Sequence, residues 1–538
     1  MNEGFDFPEE GAGSLPASAQ VVYESKGRCL IVAEADYGLE LASRLPDLQC
    51  TVLVLDSSRE SPELLLTEDG ERVVVAQLAS MSGYLGRFDV LLQDGGGQIS
   101  AVKAAQLGEG YFDVVFDAGG KPLVEHTTVP LGYFAPRDES SLEAALLEAN
   151  EMTGEFEKPI FSLYDQSKCA HGASQKRGCD ACINACSAGA IRSIGNSIEL
   201  DNMLCMGCGS CTTVCPTGAL RFAFPDAVTS LNQLRDILQM SEGALRTVVF
   251  YPAESGEAYL QAQRDSIPDS CLPVAVEEVS SIGMDIWLSL LAFGAGNVVL
   301  LCADSDSSDG QLLAEQMSYA HALLHGLGID AKAIDLMGMA QGADIAKLEA
   351  VPAWVSEPAT YALFDDKRQL IRRAMDRLAS RAVQTVPELA ELPIGAPFGA
   401  IVVAGDKCTL CMACTSACPT SALMSMGGDA PGLKFVEEAC VQCGLCRNTC
   451  PEDALSRLPR YLYDSNAARE PVVLYREEPY RCLRCAKPFA TRSGIETITA
   501  KLANHPMFQE PAALNRLKMC EDCRVVDMME SDSPTLNS

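Results

Sequence analysis

The sequence is poor in basic residues: 41 Lys and Arg stand against 73 Asp and Glu, a formal charge of -32 over 538 residues. Nucleic acid and anionic membrane surfaces are bound through Lys and Arg, so neither is an expected partner. So much acid favours a basic docking face on another protein, or serves solubility alone. The N-terminal stretch 1–20, "MNEGFDFPEEGAGSLPASAQ", has neither a basic region nor an apolar one and reads as a flexible acidic segment without a signal peptide. The expected location is therefore cytoplasmic, a reducing compartment in which cysteines bind metal more often than they pair. One run, Ile286 to Ala303, is 18 residues long and uncharged. Gly294, Gly296 and Asn297 divide it into a helix-like half and a strand-like half, so a buried helix-turn-strand is expected and not a membrane span. Also missing are a Walker A loop, a C-x-x-C-H haem site, a C-x3-C-x2-C radical pattern and any flavin or molybdenum motif.

The chain is too long for a single core, and it reads as a multidomain α/β plus α+β protein. Residues 21–155 alternate short apolar runs with one helical pattern, as in "GRCLIVA", "EADYGLELASRLP" and "QCTVLVLD", which predicts a Rossmann-like α/β domain. The first strand is not followed by G-x-G-x-x-G; Gly38 stands alone, so a bound dinucleotide is not expected and a structural or docking role is. Residues 160–225 and 401–460 are rich in cysteine, and 243–345 return to an α/β pattern. A charged helical segment and a Pro-rich linker, "VPELAELPIGAPFGA", fill 346–400. A small cysteine-bearing domain occupies 475–530, and the terminal "ESDSPTLNS" is expected to be disordered. His321 and His325 lie four apart on a helical run and read as helix-surface residues.

Against these absences stand 24 cysteines. Cys408, Cys411, Cys414 and Cys418 spell C-x2-C-x2-C-x3-C-P, and Cys440, Cys443, Cys446 and Cys450 repeat it. In this spacing three thiolates surround one [4Fe-4S] cubane while the fourth ligates the other cluster. The expected sets are Cys408, Cys411, Cys414 with Cys450, and Cys440, Cys443, Cys446 with Cys418. Cys205, Cys208, Cys211 and Cys215 form a third perfect motif. The repeats "CSAGAI", "CPTGAL", "CPTSAL" and "CPEDAL" bring a fourth into register, in which Cys179, Cys182 and Cys186 take the later ligand positions. Its first cysteine is displaced: Cys169 lies ten residues before Cys179, across "AHGASQKRG". A longer loop costs about 1 kcal/mol or less. Cys169, Cys179, Cys182 with Cys215, and Cys205, Cys208, Cys211 with Cys186, complete four sets. His171 inside the insertion is a possible substitute ligand, and Ser187 replaces the proline after the fourth cysteine.

Residues 165–222 and 403–457 resemble the bacterial-type two-[4Fe-4S] ferredoxins, which implies four clusters in a polyferredoxin-like arrangement. Residues 245–340 resemble the delta subunit linking hydrogenases to heterodisulfide reductases, through "CLPVAVEEVSSIGMDIWLSLLAFGAGNVVLLCA" and "LLHGLGIDAKAIDL". That family binds a cluster through several cysteines, whereas this region has only Cys271 and Cys302, so the resemblance implies an assembly or docking domain. Cys482-x2-Cys485 and Cys520-x2-Cys523 resemble the knuckles of a zinc ribbon, holding one zinc, or iron in its place. The remaining Cys29, Cys50, Cys271 and Cys302 lie in or beside apolar strands and read as small buried hydrophobes. The expected function is an electron-transfer protein or oxidoreductase subunit, not a stand-alone enzyme. It would relay low-potential electrons between a larger oxidoreductase, of formate dehydrogenase or hydrogenase type, and an acceptor. A maturation or docking factor, a flavin- or nicotinamide-binding subunit and a zinc-dependent interaction module are the alternatives.

Overall fold

The computed structural model describes residues 19–223, 226–349, 351–382, 384–426 and 431–532. The acidic N-terminus up to residue 18 and most of the terminal "ESDSPTLNS" lie outside the described residues; the first three residues of that tail end the helix Glu521–Asp532.

The N-terminal domain is built on the strand Arg28–Val32. Its residues do not alternate in polarity because both faces are covered: Cys29 and Ile31 enter one apolar cluster, Leu30 and Val32 another. The six-stranded sheet runs Tyr133–Phe134, Val114–Asp117, Arg28–Val32, Gln49–Leu55, Arg72–Ala76, Glu63–Leu66, with only the last strand antiparallel. The helix Ala35–Ser43 packs on this sheet at Gly38, where a Cβ would stand 2.5 Å from Val52 Cγ1. Gly38, which stands alone after this strand, is thus a packing residue. A three-stranded meander, Leu78–Ser82, Asp89–Asp94 and Gly97–Ser100, joins the other face. The antiparallel pair Gln20–Ser25 and Gly154–Pro159 leads out of the domain.

Two cysteine-rich units repeat one plan. In the first, Ser162–Tyr164 pairs with Leu220–Phe222 and Ile191–Ser193 with Ile198–Leu200, around the short helices Ala181–Ala185 and Ser210–Val214. In the second, Gly399–Val403 pairs with Leu455–Leu462 and Leu423–Ser425 with Gly432–Phe435, around Ala413–Ala417 and Leu445–Thr449. Between them lies a four-stranded parallel sheet in the order Cys271–Val276, Thr247–Pro252, Asn297–Cys302, Ile334–Gly338. The uncharged run resolves into the helix Met284–Ala292 and the strand Asn297–Cys302, joined through Gly294 at φ 107°. No helix among the described residues is long and apolar enough to cross a membrane.

The charged run near 370 forms the helix Lys367–Ala379, which packs on Met284–Ala292. The Pro-rich stretch 386–400, expected to be a linker, is core instead. It contributes the strand Leu389–Glu391 and buries Leu392, Ala396 and Phe398 in one apolar cluster with Trp287, Leu323 and Tyr461. Phe398 meets Tyr461 edge-on at 5.4 Å. The last unit is a hairpin, Pro479–Arg481 with Pro488–Thr491, followed by Arg492–Leu502, Pro511–Leu517 and Glu521–Asp532.

Candidate metal centres

Each regular cysteine loop wraps its own interior. In 205–211, 408–414 and 440–446, the residues flanking the middle cysteine adopt left-handed backbone: Gly207 and Gly209, Leu410 and Met412, Gln442 and Gly444. Three of these six carry side chains, and such a conformation costs roughly 1–2 kcal/mol per residue. Strain of that kind persists where the surroundings demand the loop shape. The loop turns backbone N–H groups onto sulfur: Gly207 to Cys205, Leu410 to Cys408 and Gln442 to Cys440. The loop around Cys179 differs, since Asp180 has φ -128°.

Thiols from separate loops converge. Cys215 acts electrostatically on Cys179 and Cys182 together with Cys169. Cys186 acts on Cys205, Cys208 and Cys211. Cys450 acts on Cys408 and Cys414, which also face Cys411. Cys418 acts on Cys443 and Cys446, the latter beside Cys440. The fourth cysteines have N–H donors of their own: Ala190 to Cys186 at 3.2 Å, Leu220 to Cys215 at 3.4 Å and Ala454 to Cys450 at 3.3 Å. Ala190, Ala219, Ala422 and Ala454, the shared alanines of the four repeats, are all buried behind these sulfurs.

Burial pushes the thiols up: Cys179, Cys414 and Cys446 to about 12 and Cys440 to about 11, with neighbouring thiolates adding to the effect. Alone, such thiols stay protonated at neutral pH, and a coordinated cation removes the proton. The donors fit a soft, thiolate-seeking group: Cys408, Cys411, Cys414 and Cys450 line one cavity walled by Leu433 and Leu455.

Residues 175–219 and 407–454 match the family model of the 4Fe-4S dicluster domain. Two dicluster domains are present. The first match begins after Cys169 and takes in the other seven cysteines of that domain. No curated protein matches the chain.

His171 is not free to ligate. It is 1% exposed, with Nδ1 on the Cys179 carbonyl at 2.8 Å and Nε2 on Ser193 Oγ at 2.7 Å. Ser187, which replaces the usual proline, contacts the N-terminal domain: its Oγ lies 2.7 Å from Thr128 Oγ1, and its carbonyl accepts from the Thr128 N–H at 3.2 Å. His321 bonds the Ile334 carbonyl and His325 is exposed. Cys29, Cys271 and Cys302 are buried, while the half-buried Cys50 pairs in register with Cys29 on the next strand.

In the tail, the sulfurs of Cys482, Cys485, Cys520 and Cys523 all lie within 4.8 Å of one another. Cys485 and Cys520 are 3.7 Å apart. A tetrahedron with metal–sulfur bonds of about 2.3 Å has edges of about 3.8 Å, so the four thiols suit one mononuclear ion. Burial opposes a Cys482 thiolate, but N–H groups of Cys485, Cys520 and Arg484 outweigh it and hold its pKa at about 6. The first knuckle follows a hairpin strand and the second opens the helix Glu521–Asp532.

Sequence reasoning missed two cations that sit among the thiols. Arg368 donates to the carbonyls of Cys440, Glu438 and Pro397 at 3.0, 2.8 and 3.0 Å. Lys158, beside Cys205, donates to the Met203 carbonyl at 3.1 Å and lies 5.1 Å from the Tyr23 ring centroid. Both come from outside the cysteine motifs, and no local pattern marks them.

Proposed function

We propose that the chain is a cytoplasmic electron relay with four [4Fe-4S] clusters and one further metal in the tail. It would pass low-potential electrons between a larger oxidoreductase, of formate dehydrogenase or hydrogenase type, and an acceptor. Cys169, Cys179, Cys182 and Cys215 would hold one cluster, and Cys205, Cys208, Cys211 and Cys186 the second. Cys408, Cys411, Cys414 and Cys450 would hold the third, and Cys440, Cys443, Cys446 and Cys418 the fourth. Cys482, Cys485, Cys520 and Cys523 would hold zinc. Such clusters supply one-electron exchange with a nearly unchanged thiolate cage.

The observation that carries this reading is the crossed gathering of thiols, three from one loop and the fourth from its repeat, four times over. The Rossmann-like N-terminal domain and the delta-subunit-like middle domain would serve assembly and docking. Against a nucleotide site in the former, the turn after its first strand carries Glu34 and Asp36 at the start of the helix Ala35–Ser43, where a pyrophosphate would need N–H groups free of carboxylates.

Anaerobic purification with metal counting tests the reading. It expects about sixteen iron atoms and one zinc per chain, and the loss of about four iron atoms in Cys169→Ala. An iron count left unchanged by that substitution would remove Cys169 from the ligands.

A further inference from the structure

The insertion that displaces Cys169 forms a hairpin, Gly172–Ala173 with Lys176–Arg177, turning through Ser174 and Gln175 at φ 50° and 63°. On its inner side, His171 ties it to the first dicluster domain through the Cys179 carbonyl and Ser193. The N–H of Cys179 closes the base on the Ala170 carbonyl at 3.0 Å.

Its outer side lies on the other dicluster domain, 271 residues away in sequence. Asn448 donates to the Arg177 carbonyl at 2.8 Å. Gly178 has no room for a side chain: a Cβ there would stand 2.4 Å from Leu445 Cγ and 2.8 Å from the Ala170 carbonyl oxygen. Gly178 precedes Cys179, and Leu445 lies between Cys443 and Cys446, so the residues in contact are chain neighbours of thiols on both sides. Consecutive Cα atoms are 3.8 Å apart, which bounds the Cys179 to Cys446 Cα separation at about 14 Å. Cys179 and Cys443 open into the same cleft of about 650 Å³.

The other two sets border other parts of the chain. The Cys205 set borders the middle domain, where Ser210 Oγ donates to Asp309 at 2.8 Å, and the N-terminal domain through Tyr23 and Lys158. The Cys408 set borders the tail, where Thr491 Oγ1 donates to the Thr409 carbonyl at 3.0 Å, and its Cys411 is exposed.

We propose that the hairpin at 170–178 is an interdomain strut that seats the Cys179 thiol set against the Cys443 set. It makes one linear array of the two dicluster domains, in the order Cys205 set, Cys179 set, Cys443 set, Cys411 set. The array rests on reading the four sets as cluster ligands. The strut itself does not.

The test uses the full chain, prepared anaerobically and reduced with dithionite, in wild-type form and as Asn448→Ala and Gly178→Val. Asn448 is exposed, so its truncation leaves folding intact. Hydrogen–deuterium exchange over 171–178 reads the docking whether or not clusters are loaded. Removing one hydrogen bond should speed that exchange about threefold to tenfold. Electron paramagnetic resonance reads spin coupling across the junction, which should be lost in both variants while iron stays at about sixteen. Unchanged exchange and unchanged coupling in Asn448→Ala would overturn the strut, even if Gly178→Val fails to fold. Wild-type iron well below sixteen, with exchange still responding to Asn448→Ala, would instead overturn the ligand reading and leave the strut standing.

Discussion

Replacing Arg368 by Gln should lower the potential of the cluster assigned to Cys440, Cys443, Cys446 and Cys418. The Arg368 guanidinium has three carbonyl partners, one of them on Cys440 itself, and lies 4.7 Å from the Phe398 ring centroid. Burial lowers its pKa to about 10, so it is fully charged at neutral pH, and its charge works to lower the Cys440 pKa. Reduction adds negative charge to the site, and a nearby cation favours it. A unit charge roughly 7 Å away in a medium of effective dielectric about 20 contributes about 2.4 kcal/mol. For a one-electron couple that is about 100 mV. The assay is a redox titration of the full chain followed by electron paramagnetic resonance. One of the four steps should fall by about 100 mV in Arg368→Gln and by far less in the charge-preserving Arg368→Lys. Because burial shields the cation from the solution, high salt should not abolish the difference. If every step stays within about 20 mV of wild type while iron is retained, the electrostatic reasoning is wrong.

Three further outcomes are expected. Cys520→Ser should abolish metal binding by the tail, leave iron unchanged, and unprotect residues 479–532 in hydrogen exchange, because the four thiols within 4.8 Å suit a single ion that would tie the two knuckles together. Glu278 is pushed from 4.5 to about 6 by burial, with Asp309, Glu277 and Glu254 adding to it. The folded state therefore holds its proton longer than the unfolded state, and stability present below pH 4.5 is lost as pH rises through 6. Glu278→Gln should recover about 1 kcal/mol at pH 7, after discounting for partial exposure, and flatten that window in urea titrations. Gly38→Ala gains about 1 kcal/mol of helix propensity, yet it drives a methyl to 2.5 Å from Val52. Overpacking of about 1–3 kcal/mol should leave a net loss in chemical denaturation, and a more stable variant would show that the helix can shift.

The cysteine loops were legible because their chemistry is local. Spacing alone set the loops of Cys205, Cys408 and Cys440, and the repeated alanine four residues after each fourth cysteine brought the irregular motif into register. Legibility stopped where a residue's role is fixed by a neighbour distant in sequence. The insertion and Ser187 are the two departures from the regular motif, and both are contacts between domains: one touches Asn448, the other Thr128. The stretch 386–400 read as a linker for the same reason. Its prolines are visible in the sequence, but the Tyr461 and Trp287 that bury Phe398 and its neighbours are not. His171 offered two ring nitrogens to a cluster on paper, and its actual partners lie 8 and 22 residues away.

Charge also ranks the two sites of the second dicluster domain. Around Cys440 and Cys443 the nearby charges include Arg368 and Arg457, and both act to favour thiolate. Around Cys408 the corresponding neighbour is Glu477, which disfavours it. Charges that favour a thiolate would also favour the extra electron of a reduced cluster, so with clusters held as proposed the cationic site would be the better acceptor of the two. That site is the one seated against the first dicluster domain, and the site beside Glu477 carries the exposed Cys411. With the four clusters held as proposed, an electron entering at the Cys411 site would run downhill to the Cys443 site, and Arg368→Gln would remove about 100 mV of that slope. The chain's -32 charge is thus unevenly spread in its effect. Acid dominates the totals, while cations stand where the two domains meet.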